Sequence, residues 1–447
     1  MKVKINKSLS YLFVLLVMMT FIIIQPLKAK AEEELNIEAE SAILVDAETG
    51  KILYAKKPDL TLPPASMTKM MTEYLVLEAI ESGDISWDTT TQISDYPYGI
   101  SANINFSGVG LRQNVDYTVR ALYEAMAINS DNATTIALAE LIAGSEGEFV
   151  KLMNQKAEEI GLPESEYKFV NTTGLENSSL GENYPEGTDP DATNLLSARS
   201  SALLAYHLIN DYPESLEISK IPQTEFDGHT IVNWNRMLPH EGDNFKQYFY
   251  KGIDGLKTGH TDLAGYSFTG TAERDGNRLI SVIMKADSEK QRFKETAKLL
   301  EYGYTQFEKE EIFPADYQLE EQTTIPVIKG KKKTVEVAIN SAFHVPVKDG
   351  QAENYSIEYH FDEKLFNKEG ELTAPLEKGE KIGTAELVYN GEKDYGYIID
   401  ETDQRVVDLV TIEAVEKSNW FMITLGAIGD FFANLFSSIV DTVKGWF

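Results

Sequence analysis

Cysteine is absent from the 447 residues. No disulfide can staple the chain, so its stability has to come from packed apolar cores. Positive charge is scarce: 41 lysines and arginines face 71 aspartates and glutamates, a net charge of −30. Such a field repels polyanions and argues against nucleic acid as a partner, and its everyday consequence is solubility. Internal repeats and low-complexity tracts are missing too. Apart from His260, the histidines (His207, His229, His240, His344 and His360) are scattered with no pair at metal-ligand spacing. Neither a metal nor another cofactor is expected.

The N-terminus carries a compartment signal. Lys2, Lys4 and Lys7 precede an apolar stretch from Leu9 to Ile24, and Ala29-Lys30-Ala31 is the small-x-small pattern of a secretory cleavage site. The stretch is shorter than the ~20 residues a spanning helix needs, which disfavours an uncleaved anchor. Residues 1–31 therefore read as a signal peptide. Cleavage after Ala31 removes five lysines and no acids, taking the net charge from −30 to −35.

Three further regions follow. "SAILVDAETGKILYAK" reads as a hairpin, and "ASMTKMMTEYLVLEAI" turns to helical spacing. "YTVRALYEAMAI" and "DNATTIALAELIAG" suggest more helices, the second closing on Gly144 as its cap. Residues 176–194 form a polar loop. "GLKTG" and "AGYSFTGTAERDGNRLISVIMKAD" suggest strands joined at Asp275-Gly276, before a helix over "RFKETAKLLEYGYTQF". One mixed α/β (α+β) unit thus spans residues 36–312. "KTVEVAI", "YSIEYHF", "GTAELVY" and "VVDLVTI" then indicate a small all-β domain over residues 316–412, which reads as a spacer. In residues 418–447, Phe421, Leu425, Ile428, Phe432, Leu435, Ile439 and Val443 share one helical side. Asp430, Asn434, Ser437, Asp441 and Lys444 recur on the other side. Such a helix suits a membrane interface, here the outer face of the cytoplasmic membrane. Docking on its own β-domain is the alternative.

Chemistry enters at Ser66 and Lys69. Positions i and i+3 share a helix face, so hydroxyl and amine can meet. Pro63 and Pro64 suit a helix entry, where free backbone N–H groups can hold an oxyanion. A half-buried lysine loses pKa and can accept the serine proton, giving an activated nucleophile without histidine. Ser-x-x-Lys also occurs at Ser165–Lys168, but in a polar, turn-prone stretch. Ser130-Asp131-Asn132 lies 64 residues on, between two apolar helical runs, with a hydroxyl to relay protons and an amide to hold substrate. Ser101–Asn103 competes with it from a loop. Lys257-Thr258-Gly259 follows 127 residues later, on a candidate strand. Its lysine and threonine would cradle a carboxylate, and its glycine would admit a substrate backbone.

"ASMTKMMT", "SDN" and "DGLKTGHT", in that order, resemble the signature of penicillin-recognising serine acyl-enzymes. With the β-domain and terminal helix, the chain is similar to low-molecular-weight penicillin-binding proteins. Among these it resembles the peptidase S11-like D-alanyl-D-alanine carboxypeptidases of Bacillus-like Gram-positive bacteria. That resemblance implies a five-stranded antiparallel sheet with helices on both sides. Ser66 would be the acylated nucleophile, Lys69 its base, and Ser130 the proton relay to the departing D-alanine. Asn132 would bind the peptide, Lys257 and Thr258 the terminal carboxylate, and the N–H groups of Ser66 and His260 the oxyanion. Arg199 matches a basic position near the substrate carboxylate, although this chain reads "SARSSALLA" where "SARDMALLA" is commoner. The implied partners are a peptidoglycan stem peptide, β-lactam antibiotics as acylating inhibitors, and the membrane surface.

A class A-like β-lactamase shares the three motifs but needs a Glu-x-x-Leu-Asn pattern; residues 176–194 hold Glu182 and Glu186 without it. A transpeptidase would be expected to carry a permanent N-terminal anchor and room for a glycosyltransferase domain. A non-catalytic penicillin-binding or wall-sensing module would have no need to keep both nucleophile and base.

Overall fold

The computed structural model describes residues 35–242, 244–399 and 405–419. The expected signal peptide, and the expected terminal helix beyond Asn419, lie outside these residues.

The expected hairpin forms as β1 (Ser41–Asp46) and β2 (Ile52–Lys56), paired antiparallel. At its turn Asp46 Oδ1 accepts from the Thr49 N–H at 2.8 Å and from the Thr49 hydroxyl at 2.6 Å. Helix α1 (Lys69–Glu81) is buried without a break from Lys69 to Leu77. It lies inside the core and not along its edge, so it has no polar stripe. Around it are α2 (Val119–Asn129), α3 (Asn132–Ala143), α4 (Glu146–Glu159) and α5 (Ala198–Asp211). As expected, α3 closes on Gly144, whose φ of 80° needs no Cβ.

Strands β3 (Ile253–Thr261), β4 (Gly265–Arg274) and β5 (Asn277–Ala286) precede α6 (Glu289–Gln306). Arg274 pairs with Asn277 across Asp275-Gly276, both left-handed (φ 53° and 81°), which is the hairpin turn that the right-handed strand twist favours. The sheet is five-stranded and antiparallel, in the order β2-β1-β5-β4-β3. Alternation along the strands sends Ile43, Val45, Val282 and Met284 into the core shared with the helices above. Leu44 and Leu279 take the opposite face, where a Cβ on Gly303 of α6 would stand 2.9 Å and 2.6 Å from them.

The C-terminal part is all β, and each of the four expected strand segments forms one. A six-stranded sheet runs, in spatial order, through residues 355–361, 381–389, 406–411, 334–339, 324–328 and 372–373. Strand Phe307–Phe313 leaves α6 directly and pairs with Phe343–Lys348, so its hydrogen bonds join the β part, although residues 36–312 read from the sequence as one unit. The two parts interlock. Gly396 O accepts from the Ile52 N–H and Gly50 O from the Ile398 N–H, both at 2.9 Å. Between them Lys51 is nearly buried, its Nζ lying 5.4, 5.5 and 5.2 Å from the rings of Tyr355, Tyr389 and Tyr397. A segment read from the sequence as a spacer thus grips the unit it follows.

Candidate active site

Ser66 sits in a 3₁₀ turn, Ala65–Thr68, that runs straight into α1 at Lys69. Ala65 is left-handed, with φ at 48°, an uncommon state for a residue with a Cβ. Lys69 Nζ lies 3.0 Å from Ser66 Oγ, 2.8 Å from Asn132 Oδ1 and 2.7 Å from the Thr173 carbonyl oxygen. Burial pushes the fully buried Lys69 amine well below the ordinary lysine range, and the charge of Lys257 pushes the same way. Asp131, Glu73 and Glu146 pull against them.

Once the amine is uncharged, its three contacts have a single arrangement. An uncharged amine has two N–H groups and one lone pair. A carbonyl oxygen can only accept, so Asn132 and Thr173 take the two N–H groups. The lone pair is left for the Ser66 O–H.

Ser130 is the left-handed residue (φ 61°) between α2 and α3. Asp131 caps α3 by accepting from the Thr134 N–H at 2.6 Å, while its other oxygen accepts from the Val109 N–H at 2.6 Å. Asn132 donates its amide to the Ser107 carbonyl at 3.3 Å. Each end of its side chain thus has one partner within the protein, and the amide nitrogen keeps a second N–H. Its contact with Lys69 makes it a holder of the base.

Lys257 and Thr258 are buried on β3. Burial lowers Lys257, with Arg292 adding to the effect and Glu73 opposing it. Gly259 has a different reason from the one expected. A Cβ there would stand 2.3 Å from the Pro64 carbonyl oxygen and 3.3 Å from the Ala65 Cβ. The protein's own nucleophile turn requires the glycine. His260 is exposed, its ring 4.1 Å from that of Tyr266. Arg199 donates its Nε–H to Asp59 at 2.6 Å, on the loop after β2.

The competing motifs separate cleanly. Ser165 lies in a 3₁₀ turn and Lys168 on a short strand, so they share no helix face. Ser101, expected in a loop, ends a short helix (Asp95–Ser101); its hydroxyl accepts from the Leu111 N–H and Asn103 Oδ1 from the Asn105 N–H, both local tasks.

Sequence reasoning missed the loop that holds the base. Asn171 Oδ1 accepts from the N–H groups of Thr173 and Gly174, from the Thr173 hydroxyl and from the Asn194 amide, at 2.8 to 3.1 Å. Buried Glu146 accepts from the Thr172 N–H and hydroxyl and from the Tyr96 hydroxyl. Asn-Thr-Thr-Gly is an Asx-turn pattern, a signal that was available. Two buried charges were missed as well. Glu73, one turn beyond Lys69, has its pKa raised by burial and takes a 3.4 Å bond from Tyr123. Arg292 of α6 donates to the carbonyls of Gly259 and Ser267, each at 3.2 Å, pinning the strand of Lys257 to its neighbour.

Comparison with known proteins agrees with this geometry. Residues 28–288 match the D-alanyl-D-alanine carboxypeptidase family of S11 peptidases, and residues 307–417 match the C-terminal domain of penicillin-binding protein 5. The chain is 32% identical over 363 residues to the D-alanyl-D-alanine carboxypeptidase DacF of Bacillus subtilis, covering 81% of this chain and 85% of that one. A peptidoglycan synthesis regulatory factor, PBP3 of Streptococcus pneumoniae, superposes with a TM-score of 0.67 at 37% identity, over 85% of this chain and all of that one. Penicillin-binding protein D2 of Listeria monocytogenes, solved with ampicillin bound, matches at TM-score 0.50 and 32% identity, over 61% of this chain and 99% of that one.

Proposed function

The chain belongs to the D-alanyl-D-alanine carboxypeptidases of the S11 peptidase family, and from that membership we propose how its own residues release the terminal D-alanine of a peptidoglycan stem peptide. Lys257 and Thr258 receive the free carboxylate, which a cut beside a C-terminus requires. Lys69, uncharged, takes the Ser66 proton as Oγ attacks the penultimate carbonyl. The N–H groups of Ser66 and His260 hold the oxyanion. Ser130 passes the proton to the departing D-alanine nitrogen as the C–N bond breaks and the acyl-enzyme forms. Water then attacks the ester, Lys69 takes its proton and returns it to Ser66 Oγ as the ester bond breaks, and the shortened peptide leaves. A β-lactam acylates Ser66 by the same route, and the ring-opened adduct departs slowly.

One observation carries this reading: a fully buried amine, held by burial well below the ordinary lysine range, lies 3.0 Å from Ser66 Oγ, with the Asn132 and Thr173 oxygens placed to take its N–H groups. Mass spectrometry after penicillin, beside an assay for free D-alanine, tests it. Wild type should gain one penicilloyl group and release D-alanine from a pentapeptide; Ser66→Ala should do neither. Adduct formation on Ser66→Ala, or acylation at wild-type speed in Lys69→Met, would overturn it.

The cellular setting belongs to the same proposal. The leader over residues 1–31 supports export, and the two-faced pattern of residues 418–447 supports attachment to the outer face of the membrane. Trimming there would limit the pentapeptides available for cross-linking.

A further inference from the structure

Trp234 is one of the large apolar side chains left in solvent, 39% exposed. Its indole N–H nevertheless donates to the Asn129 carbonyl at 2.9 Å. Asn129 ends α2, and the next residue is Ser130. A second tie spans the same gap, Asn129 Nδ2 to the Val232 carbonyl at 3.4 Å.

The indole is itself held. The Arg236 guanidinium lies 4.9 Å from the Trp234 ring and 4.1 Å from that of Phe245. Glu289 follows at 3.9 Å from Arg236 and stands 3.5 Å from Arg292, which grips the strand of Lys257. One chain of contacts therefore runs from the peptide ahead of Ser130 to the carboxylate cradle.

The last carbonyls of a helix have no partner within it, so an outside donor decides where they point. The Asn129 carbonyl shares a rigid plane with the Ser130 nitrogen. Ser130 is left-handed, a state that neighbouring structure has to maintain. With φ held at 61°, whatever fixes that plane fixes the direction of the Ser130 Cα–Cβ bond, from which χ1 swings the hydroxyl.

We infer that Trp234 is a positioning residue for proton delivery by Ser130: its indole N–H holds the peptide plane from which the Ser130 hydroxyl reaches the leaving nitrogen. This rests on the role proposed for Ser130 above. The chemistry supplies a selective readout. An amide must expel its nitrogen with a proton, whereas a thioester expels a thiolate that needs none. A substrate pair with one acyl group, ending in D-alanine or in its sulfur analogue, separates proton delivery from general damage.

Single-turnover acylation of wild type, Ser130→Ala and Trp234→Phe with both substrates tests the inference. Trp234→Phe keeps a ring and loses the N–H. It should acylate about tenfold more slowly from the amide, with thioester acylation and amide binding within about twofold of wild type. Asn129→Ala, which removes the second tie, should show the same selectivity more weakly and serves if the Phe variant does not fold. Equal losses on both substrates, or none on either, would overturn the inference. Should Ser130→Ala itself lose both alike, the parent assignment of proton transfer falls and takes this one with it. If Ser130→Ala is selective and Trp234→Phe is not, only the present inference fails.

Discussion

Gly174 packs directly against Ala65, the residue that turns the chain into the nucleophile. A Cβ at 174 would stand 1.9 Å from the Ala65 carbonyl oxygen and 2.9 Å from the Ser66 nitrogen, and its φ of 86° already suits glycine. The loop that holds the base therefore also seats the serine. Gly174→Ala should displace the Ser66 turn and slow penicillin acylation about 100-fold, with the circular dichroism spectrum retained. Acylation at wild-type speed would show that the turn can move without consequence.

The Lys257 charge helps to keep Lys69 uncharged, so removing it should be visible in the pH profile. In Lys257→Met the repulsion is gone and the Lys69 pKa rises toward its ordinary value. The uncharged form is the base, so the acid limb of penicillin acylation moves to higher pH. Height also falls because the cradle is lost; position is the quantity to read. An unmoved limb would mean that burial alone sets the base.

Asn171 concentrates several bonds in one side chain, and Asn171→Ala strands the N–H groups of Thr173 and Gly174 in the interior. A cost of about 3 kcal/mol is expected, lowering Tm by roughly 6 °C. Acylation should slow as well, since Thr173 presents its carbonyl to Lys69 from this loop. Melting and stopped-flow acylation check the two effects separately.

Much of the site was legible because its pairings are local or carried by side chains. Ser66 and Lys69 meet through helix spacing, and Gly144 and Asp275-Gly276 declare themselves by backbone demands. The contact of Asn132 with Lys69 was not foreseen, because the two residues are brought together by tertiary packing and not by local spacing. Thr173 contributes a carbonyl oxygen, which every residue type has, so composition cannot flag it. Arg292 belongs to a charged helix in which nothing local marks it as the buried cation. The Arg199 assignment came from wording alone, and that side chain pairs with Asp59.

Truncation has a defined limit. Lys417 bridges Gly330, and the Ser418 N–H donates to the Lys329 carbonyl at 2.7 Å, so both residues belong to the β part. A stop after Asn419 should leave acylation and D-alanine release within about twofold of full length and abolish co-sedimentation with lipid vesicles. Lost activity would mean that the terminal segment supports the fold.

Lys51 among its three tyrosines, with strand-like bonds on either side, turns two sequential units into a single lever. A displacement of the β part is then carried into β2 and, through the sheet β2-β1-β5-β4-β3, to the strand of Lys257.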